Sequence, residues 1–121
     1  MNLNPNITFR VADIRSQSEL VLNAGSNRQI EIGDEFIVYS ADNEKMIIDP
    51  ESGIALGYLE VYRGTGRVIS VQETMCIIEA ISIGSDKRVK LFTSSNGEPI
   101  FFNPSYGDFA KPNATKIKSV K

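Results

Sequence analysis

The chain has no histidine, no tryptophan and only one cysteine among its 121 residues. The absence of histidine removes the commonest general base and the commonest zinc ligand. It also excludes serine–histidine and cysteine–histidine nucleophilic catalysis. The lone cysteine, Cys76, has no partner for an intramolecular disulfide. Because it lies in the apolar run of residues 75–78, we expect a buried structural thiol with little nucleophilic character.

Long hydrophobic runs are absent as well. No apolar stretch approaches the ~18 residues that a membrane span needs, so we predict no membrane span. Residues 1–5 have neither the basic start nor the apolar stretch of a secretory signal. The sequence as written therefore predicts a cytoplasmic protein, or a periplasmic one if the chain is a piece cut from an exported protein.

Charge is nearly balanced overall but unevenly placed. A net charge of −2 argues against a dedicated nucleic-acid binder, which is usually clearly basic. Residues 31–51 carry seven acids and one base, whereas residues 111–121 carry four lysines and no acid. The acids of 31–51 lack the alternating positions and closing glutamate of a helical calcium loop. We therefore predict no metal site and no cofactor.

The apolar spacing that is present is typical of β-strands. Ile7, Phe9 and Val11 recur with a period of two. Gly64 and Gly66 interrupt a long strand pattern, which predicts a bulge or a sharp bend. Short strands separated by turn residues predict an all-β fold, a small antiparallel barrel of about six strands. The other segments predicted as strands are residues 18–23, 35–41, 45–48, 56–71 and 75–83.

Two aspartates, Asp34 and Asp49, each lie in a predicted backbone turn, where an aspartate side chain can accept hydrogen bonds from the turn. Gly33 provides a positive φ before a strand, and Asp34 accepts hydrogen bonds from nearby backbone N–H groups. Asp49, Pro50 and Gly53 form the pattern of a hairpin turn, with proline presetting φ and glycine taking the left-handed position. We predict structural roles for both aspartates, although an exposed binding carboxylate at Asp34 and a weak cation site among the acids stay open.

The segment after Gly84 has a different character, and we predict a domain boundary there. Residues 1–84 form the barrel domain in this interpretation, and residues 85–121 form a C-terminal extension. The extension has a predicted hairpin at 88–102, turning at residues 95–97, and a basic tail at 111–121. Residues 103–113 have no clear period and are predicted to be irregular. This division predicts that the barrel folds without the extension.

The residues favour a non-enzymatic protein-interaction or assembly module, which binds a protein partner or a second copy through strand edges and the extension. The alternative is a small barrel that binds single-stranded nucleic acid through basic and aromatic residues. A weaker alternative is a carboxylate-dependent hydrolase built around Glu60 or Glu79, although both are expected to face solvent. The predicted interaction surface comprises Lys87, Arg88, Lys90, Phe101, Phe102, Tyr106 and Phe109.

A family resemblance rests on the turn residues and the strands between them. Gly25, residues 30–34, residues 36–39, residues 49–53 and the pair Leu56-Gly57 resemble the C-terminal domain of the bacterial flagellar assembly protein T family, a component of the motor's H ring. Residues 66–72 and 78–80 continue the resemblance, which covers roughly residues 7–83. It implies a small barrel similar to the Src-homology-3 fold that acts in assembly without catalysis. The residues assigned to structural turns are then Gly25, Gly33, Asp34, Asp49, Pro50, Gly53 and Gly57.

Overall fold

Six antiparallel strands close into a barrel in the computed structural model, which describes residues 8–82 and 92–113, with the backbone alone at 41–45. The order around the barrel is β1-β2-β5-β4-β3-β6, and β6 pairs back onto β1. The predicted all-β barrel is therefore confirmed. No helix in the described ranges is long and apolar enough to cross a membrane. The strands are β1 Phe9–Ile14, β2 Glu19–Leu22, β3 Glu35–Ile48, β4 Ala55–Val71, β5 Cys76–Ala80 and β6 Phe109–Pro112.

The core lies inside the barrel and follows from alternation along the strands. Side chains of a strand point alternately to its two faces, so every second residue faces inward. Phe9 and Val11 of β1 are buried in this way, as are Phe36 and Val38 of β3. The Phe9 and Phe36 rings meet edge to face at 5.7 Å. The remaining core residues are Leu20, Leu22, Ala24, Ile30, Val68, Cys76, Ile78, Ala80, Phe101 and Ala110.

β3 is one long strand, which corrects the prediction of two strands separated by a turn near residue 43. It runs from Glu35 to Ile48 and pairs with β4 along its length. The ladder register shifts between Asp42 and Met46. The extra residues of β3 are accommodated as a bulge, because β4 continues past them and keeps the hairpin together.

The C-terminal segment belongs to the barrel, which corrects the predicted boundary at residue 84 and the predicted irregular stretch at 103–113. β6 lies between β1 and β3 and hydrogen-bonds to both. Without β6 the described strands would form an open sheet with two unpaired edges. A barrel has no edges only when all its strands are present, so the division into residues 1–84 and 85–121 does not describe this fold.

Phe101 completes the core, which corrects its prediction as a surface residue. It is 1% exposed, and its ring lies against Gly64 and Gly66 of β4. A Cβ atom at either glycine would come within 2.9 Å of the Phe101 ring. The two glycines therefore make room for an aromatic side chain from a later segment, a role that adds to the positive φ of 142° at Gly64.

Gly25 and Asp34 lie in turns that make close backbone contacts. The buried Asp34 accepts a hydrogen bond from the Glu31 backbone N–H at 2.9 Å, and Gly33 has a φ of 98°. Gly25 packs so closely on another loop that a Cβ there would lie 1.9 Å from the Gln72 carbonyl oxygen. These contacts place the loop of residues 24–34 against the end of β4.

Candidate functional site

The β3–β4 hairpin extends well beyond the barrel. β6 pairs with β3 only as far as Tyr39, and β5 pairs with β4 only from Gly66 onward. Residues 40–61, which we call the arm, pair only with each other among the described strands. At about 3.4 Å per residue the arm reaches roughly 25–30 Å from the barrel. No described residue outside the arm pairs with either of its backbone edges. A two-stranded hairpin is marginally stable by itself in water.

The arm carries most of the large apolar residues that are exposed in the described part of the chain. Scattered single apolar residues are normal on protein surfaces, but concentration on one element marks an interaction site. Of the twelve large apolar residues that are exposed in the described chain, seven lie on the arm and are 38% to 64% exposed. None of them contributes to the core cluster. The seven are Met46, Ile48, Ile54, Leu56, Tyr58, Leu59 and Val61.

Register assigns these side chains to two faces of the arm. Residues opposite each other in an antiparallel ladder share a face, and alternate residues of a strand do too. Met46 opposes Tyr58, and Tyr39 opposes Tyr62, so these residues lie on the face that continues the outside of the barrel. We call it the outer face. Leu59 and Val61 lie on the opposite, inner face.

The tip of the arm is a tightly bonded acidic turn. The Asp49 carboxylate accepts hydrogen bonds from the Glu51 backbone N–H at 3.0 Å and from the Ser52 hydroxyl at 2.8 Å. These bonds lower the pKa of Asp49 below its ordinary value, the Glu51 N–H contributing most. Gly53 has a φ of 75°, as the predicted hairpin turn requires. The Asp49 carboxylate therefore bonds within its own turn.

Cations and aromatic rings lie at the base of the arm, on the outside of the barrel. The Tyr39 and Phe109 rings stack with centroids 5.5 Å apart. Arg10 lies over Phe109 at 4.3 Å and Lys111 over Tyr39 at 4.8 Å. Lys111 also forms an ion pair with Glu60 of the arm, with Nζ and Oε1 3.5 Å apart. The base therefore carries two cations, one of them paired with Glu60, while the tip carries only acids.

The other predicted surface residues do not form one site. Phe102 is 44% exposed and stacks on Phe92, which stacks in turn on Tyr62. Tyr106 is exposed and donates a hydrogen bond to Asp13 at 3.3 Å. Phe109 is half-buried at the base of the arm. Lys87, Arg88 and Lys90 lie outside the described residues, as does the part of the basic tail after Asn113.

The predicted hairpin of the extension is partly described. Thr93 and Pro99 form a β-bridge, and Gly97 has the positive φ expected of the turn. The Ser94 N–H donates to the Glu98 carbonyl at 2.8 Å. Residues 88–91 of the prediction lie outside the described ranges.

The acidic residues considered for catalysis are separated. Glu60 is exposed on the arm, and Glu79 is exposed on β5, opposite Glu19 of β2 and Arg67 of β4. The buried carboxylates of the described residues are instead Asp34, Glu35 and Asp108. Glu35 lies 3.4 Å from the Arg67 guanidinium and 3.3 Å from the Asn113 side-chain amide. These contacts fasten the end of β6 to β3. The described residues contain no group of three potential ligands that would hold a metal ion.

Cys76 is buried as predicted, and burial raises the pKa of its thiol to about 12. We expect the folded protein to resist alkylation by iodoacetamide at pH 8, because the thiolate is the reactive form. In denaturant, labelling should become complete within the same time, as measured by intact mass. Equal labelling rates in the two conditions would contradict a buried thiol.

Comparison with known proteins gives no match to a family model, to a curated protein or to a solved structure. What the fold and the surface define is a class: a closed six-stranded β-barrel that carries an apolar hairpin arm. The sequence prediction missed the arm, because the alternation of apolar residues at 56–61 is the pattern that a buried strand also shows. The sequence signal for the arm was the length of the strand patterns within residues 35–71, which is unusually long for two neighbouring strands of a small barrel.

Proposed function

We propose that this protein is a non-enzymatic interaction module that binds a protein partner through its arm and acts in assembly. The observation that supports the proposal is the concentration of exposed apolar side chains on an element that adds nothing to the core. A folded monomer gains no stability from exposed apolar surface. The apolar surface of the arm instead resembles the apolar centre of a protein–protein interface. The earlier resemblance to a flagellar assembly family and to the Src-homology-3 fold stays a prediction, on which this proposal does not depend.

The arm also satisfies the geometric needs of a binding element. Its two edges, which no other described strand pairs with, offer backbone N–H and C=O groups to an added strand, and its side chains offer an apolar face beside them. Residues 40–61 carry five acids and one lysine, which disfavours nucleic acid as the ligand of this surface. The single-strand-binding alternative would have to use the basic residues of the extension instead.

A photoreactive amino acid tests the proposal in cells that produce the protein. Placed at Tyr58 and at Leu59, benzoylphenylalanine is expected to give discrete protein adducts, since these positions lie on the two faces of the arm. At Ile69, an exposed apolar residue of β4 on the barrel, it should give none. Excess untagged wild-type protein should compete the adducts away.

A variant of the protein that lacks the arm serves as the negative control in this competition experiment. Ala41 and Glu60 oppose each other in the ladder, so a two-residue Asn-Gly turn can join them in place of residues 42–59. This armless variant should keep the thermal transition of the wild type, because no core residue is removed. It should fail to compete for the adducts. Adducts that form equally at Ile69, or that the armless protein removes, would refute the proposal.

A further inference from the structure

We infer that the partner of the arm's outer face is a second copy of this chain, with two arms packed antiparallel about a two-fold axis. The inference rests on the proposed function and names the partner of the same surface. In this arrangement the middle of each outer face meets the middle of the other, and the tip of each arm meets the base of the other. Two features of the described residues support it, the apolar area and the placement of charges, and a two-fold axis would match their spacing.

The apolar area of the outer face supplies about half of what each partner of a standard dimer buries. Its apolar side chains, Met46 and Tyr58 among them, present on the order of 400 Å² of surface, within the range for the largest patch on a monomer. A standard interface buries about 800 Å² on each partner. The rest can come from polar atoms around the patch, including the acidic tip and the cationic base. The arm is therefore large enough to form a specific interface with one partner.

When two arms run in opposite directions, the acidic tip of each arm lies beside the cations at the base of the other. Glu51 is exposed at the tip, and Arg10 and Lys111 lie at the base on the outer face. Glu60 pairs with Lys111 there, so the base keeps a net charge of one cation. Parallel packing would bring tip to tip and place like charges together. Antiparallel packing brings each acidic tip to a cationic base, with Met46 and Tyr58 between them. The result is an apolar centre flanked by opposite charges, as in ordinary interfaces.

Two-fold symmetry ensures that the distance from tip to base is the same in both arms, so both tip-to-base contacts can form at once. In an isologous contact, residue i of one copy meets residue j of the other, and j meets i. The tip-to-base distance of one arm is then matched by the identical distance in its partner. An unrelated protein would need its own cations and apolar surface at that spacing. This chain already carries both.

Sedimentation equilibrium of the full chain from about 1 µM to 1 mM tests the inference. The wild type is expected to show a monomer–dimer equilibrium. Tyr58→Glu, which charges the centre of the outer face, should weaken dimerisation at least about 30-fold, as loss of a central aromatic anchor does. Leu59→Glu places the same charge on the inner face and should leave the dimer intact. A strictly monomeric wild type, or loss of the dimer only in Leu59→Glu, would overturn the inference.

Charge reversal tests the antiparallel arrangement directly. Glu51→Lys and Lys111→Glu should each weaken self-association about tenfold, because each places like charges between tip and base. Mixing the two variants should restore association, since the heterodimer has one reversed pair and one original pair. Glu73→Lys, an equal charge change on the turn before β5, should behave as wild type. Failure of the mixture to associate better than either variant alone would exclude antiparallel packing.

The two proposals fail in different ways. If the purified chain stays monomeric but Tyr58 or Leu59 still gives competed adducts with another protein, the second copy is excluded and the interaction module stands. If neither position gives adducts in cells, the proposed function falls as well. Adducts at Tyr58 with a second copy of the chain, at twice its mass, would support both.

Discussion

Truncation of the chain after Gly84 is expected to abolish cooperative unfolding. The shortened chain loses β6, so β1 and β3 are left as unpaired edges of an open sheet. It also loses Phe101 and Ala110 from the core. Native domains have a margin of only about 5–15 kcal/mol, and the loss of a closing strand together with a core aromatic exceeds what a barrel of this size can tolerate. Circular dichroism during thermal unfolding should show no sigmoidal transition.

A second truncation provides the matched control. A chain that ends at Asn113 keeps every described strand and the contact between Asn113 and Glu35, and it should unfold cooperatively. The comparison separates loss of β6 from loss of chain length. A cooperative transition in the chain ending at Gly84 would show that the barrel closes without β6, contrary to the observed pairing.

Phe101→Ala is expected to destabilise the protein by about 3–5 kcal/mol, the usual cost of removing a fully buried phenylalanine. The side chain is 1% exposed, and the two glycines that face it cannot fill the cavity. Because the chain lacks tryptophan, urea unfolding is best followed by circular dichroism. The neighbouring Phe102→Ala serves as control. That ring is 44% exposed and stacks only on the outside, so its loss should cost about 1 kcal/mol.

Coupling between Phe101 and its glycines gives an independent test. Gly66→Ala alone should be destabilising, since its Cβ would lie 2.9 Å from the Phe101 ring and 3.0 Å from Ile78. In combination with Phe101→Ala, part of that clash disappears. The double variant should therefore be more stable than the sum of the two single changes predicts. Strict additivity would mean that the ring and the glycine do not share this space.

The sequence was sufficient for the fold class and for most of the strands, because alternation and turn chemistry are local. Asp34 and Asp49 are clear examples, since each bonds to backbone groups within three residues of itself. Cys76 was predictable for a similar reason, as its neighbours are apolar. The roles of these residues can be read from a window of a few positions.

The residues that were assigned wrongly depend on distant partners. Phe101 is buried because two glycines some 35 positions earlier leave space for it, and no local pattern distinguishes it from the exposed Phe102. β6 is short and contains a proline, so it resembles a loop until β1 and β3 are present on either side. The exposure of the arm is also non-local. It follows from where β5 and β6 stop pairing, which the arm's own residues do not encode.

The position of β6 in the strand order has a consequence for synthesis of the protein on the ribosome. The first and third strands emerge early, but the strand that joins them comes only at residues 109–112. Pairings between residues so far apart in sequence form slowly, because a long loop must close first. During translation, two strand edges and the space for Phe101 stay open until nearly the whole described chain has left the exit tunnel. The nascent chain is therefore exposed to aggregation and to chaperones until residues 109–112 have emerged and paired.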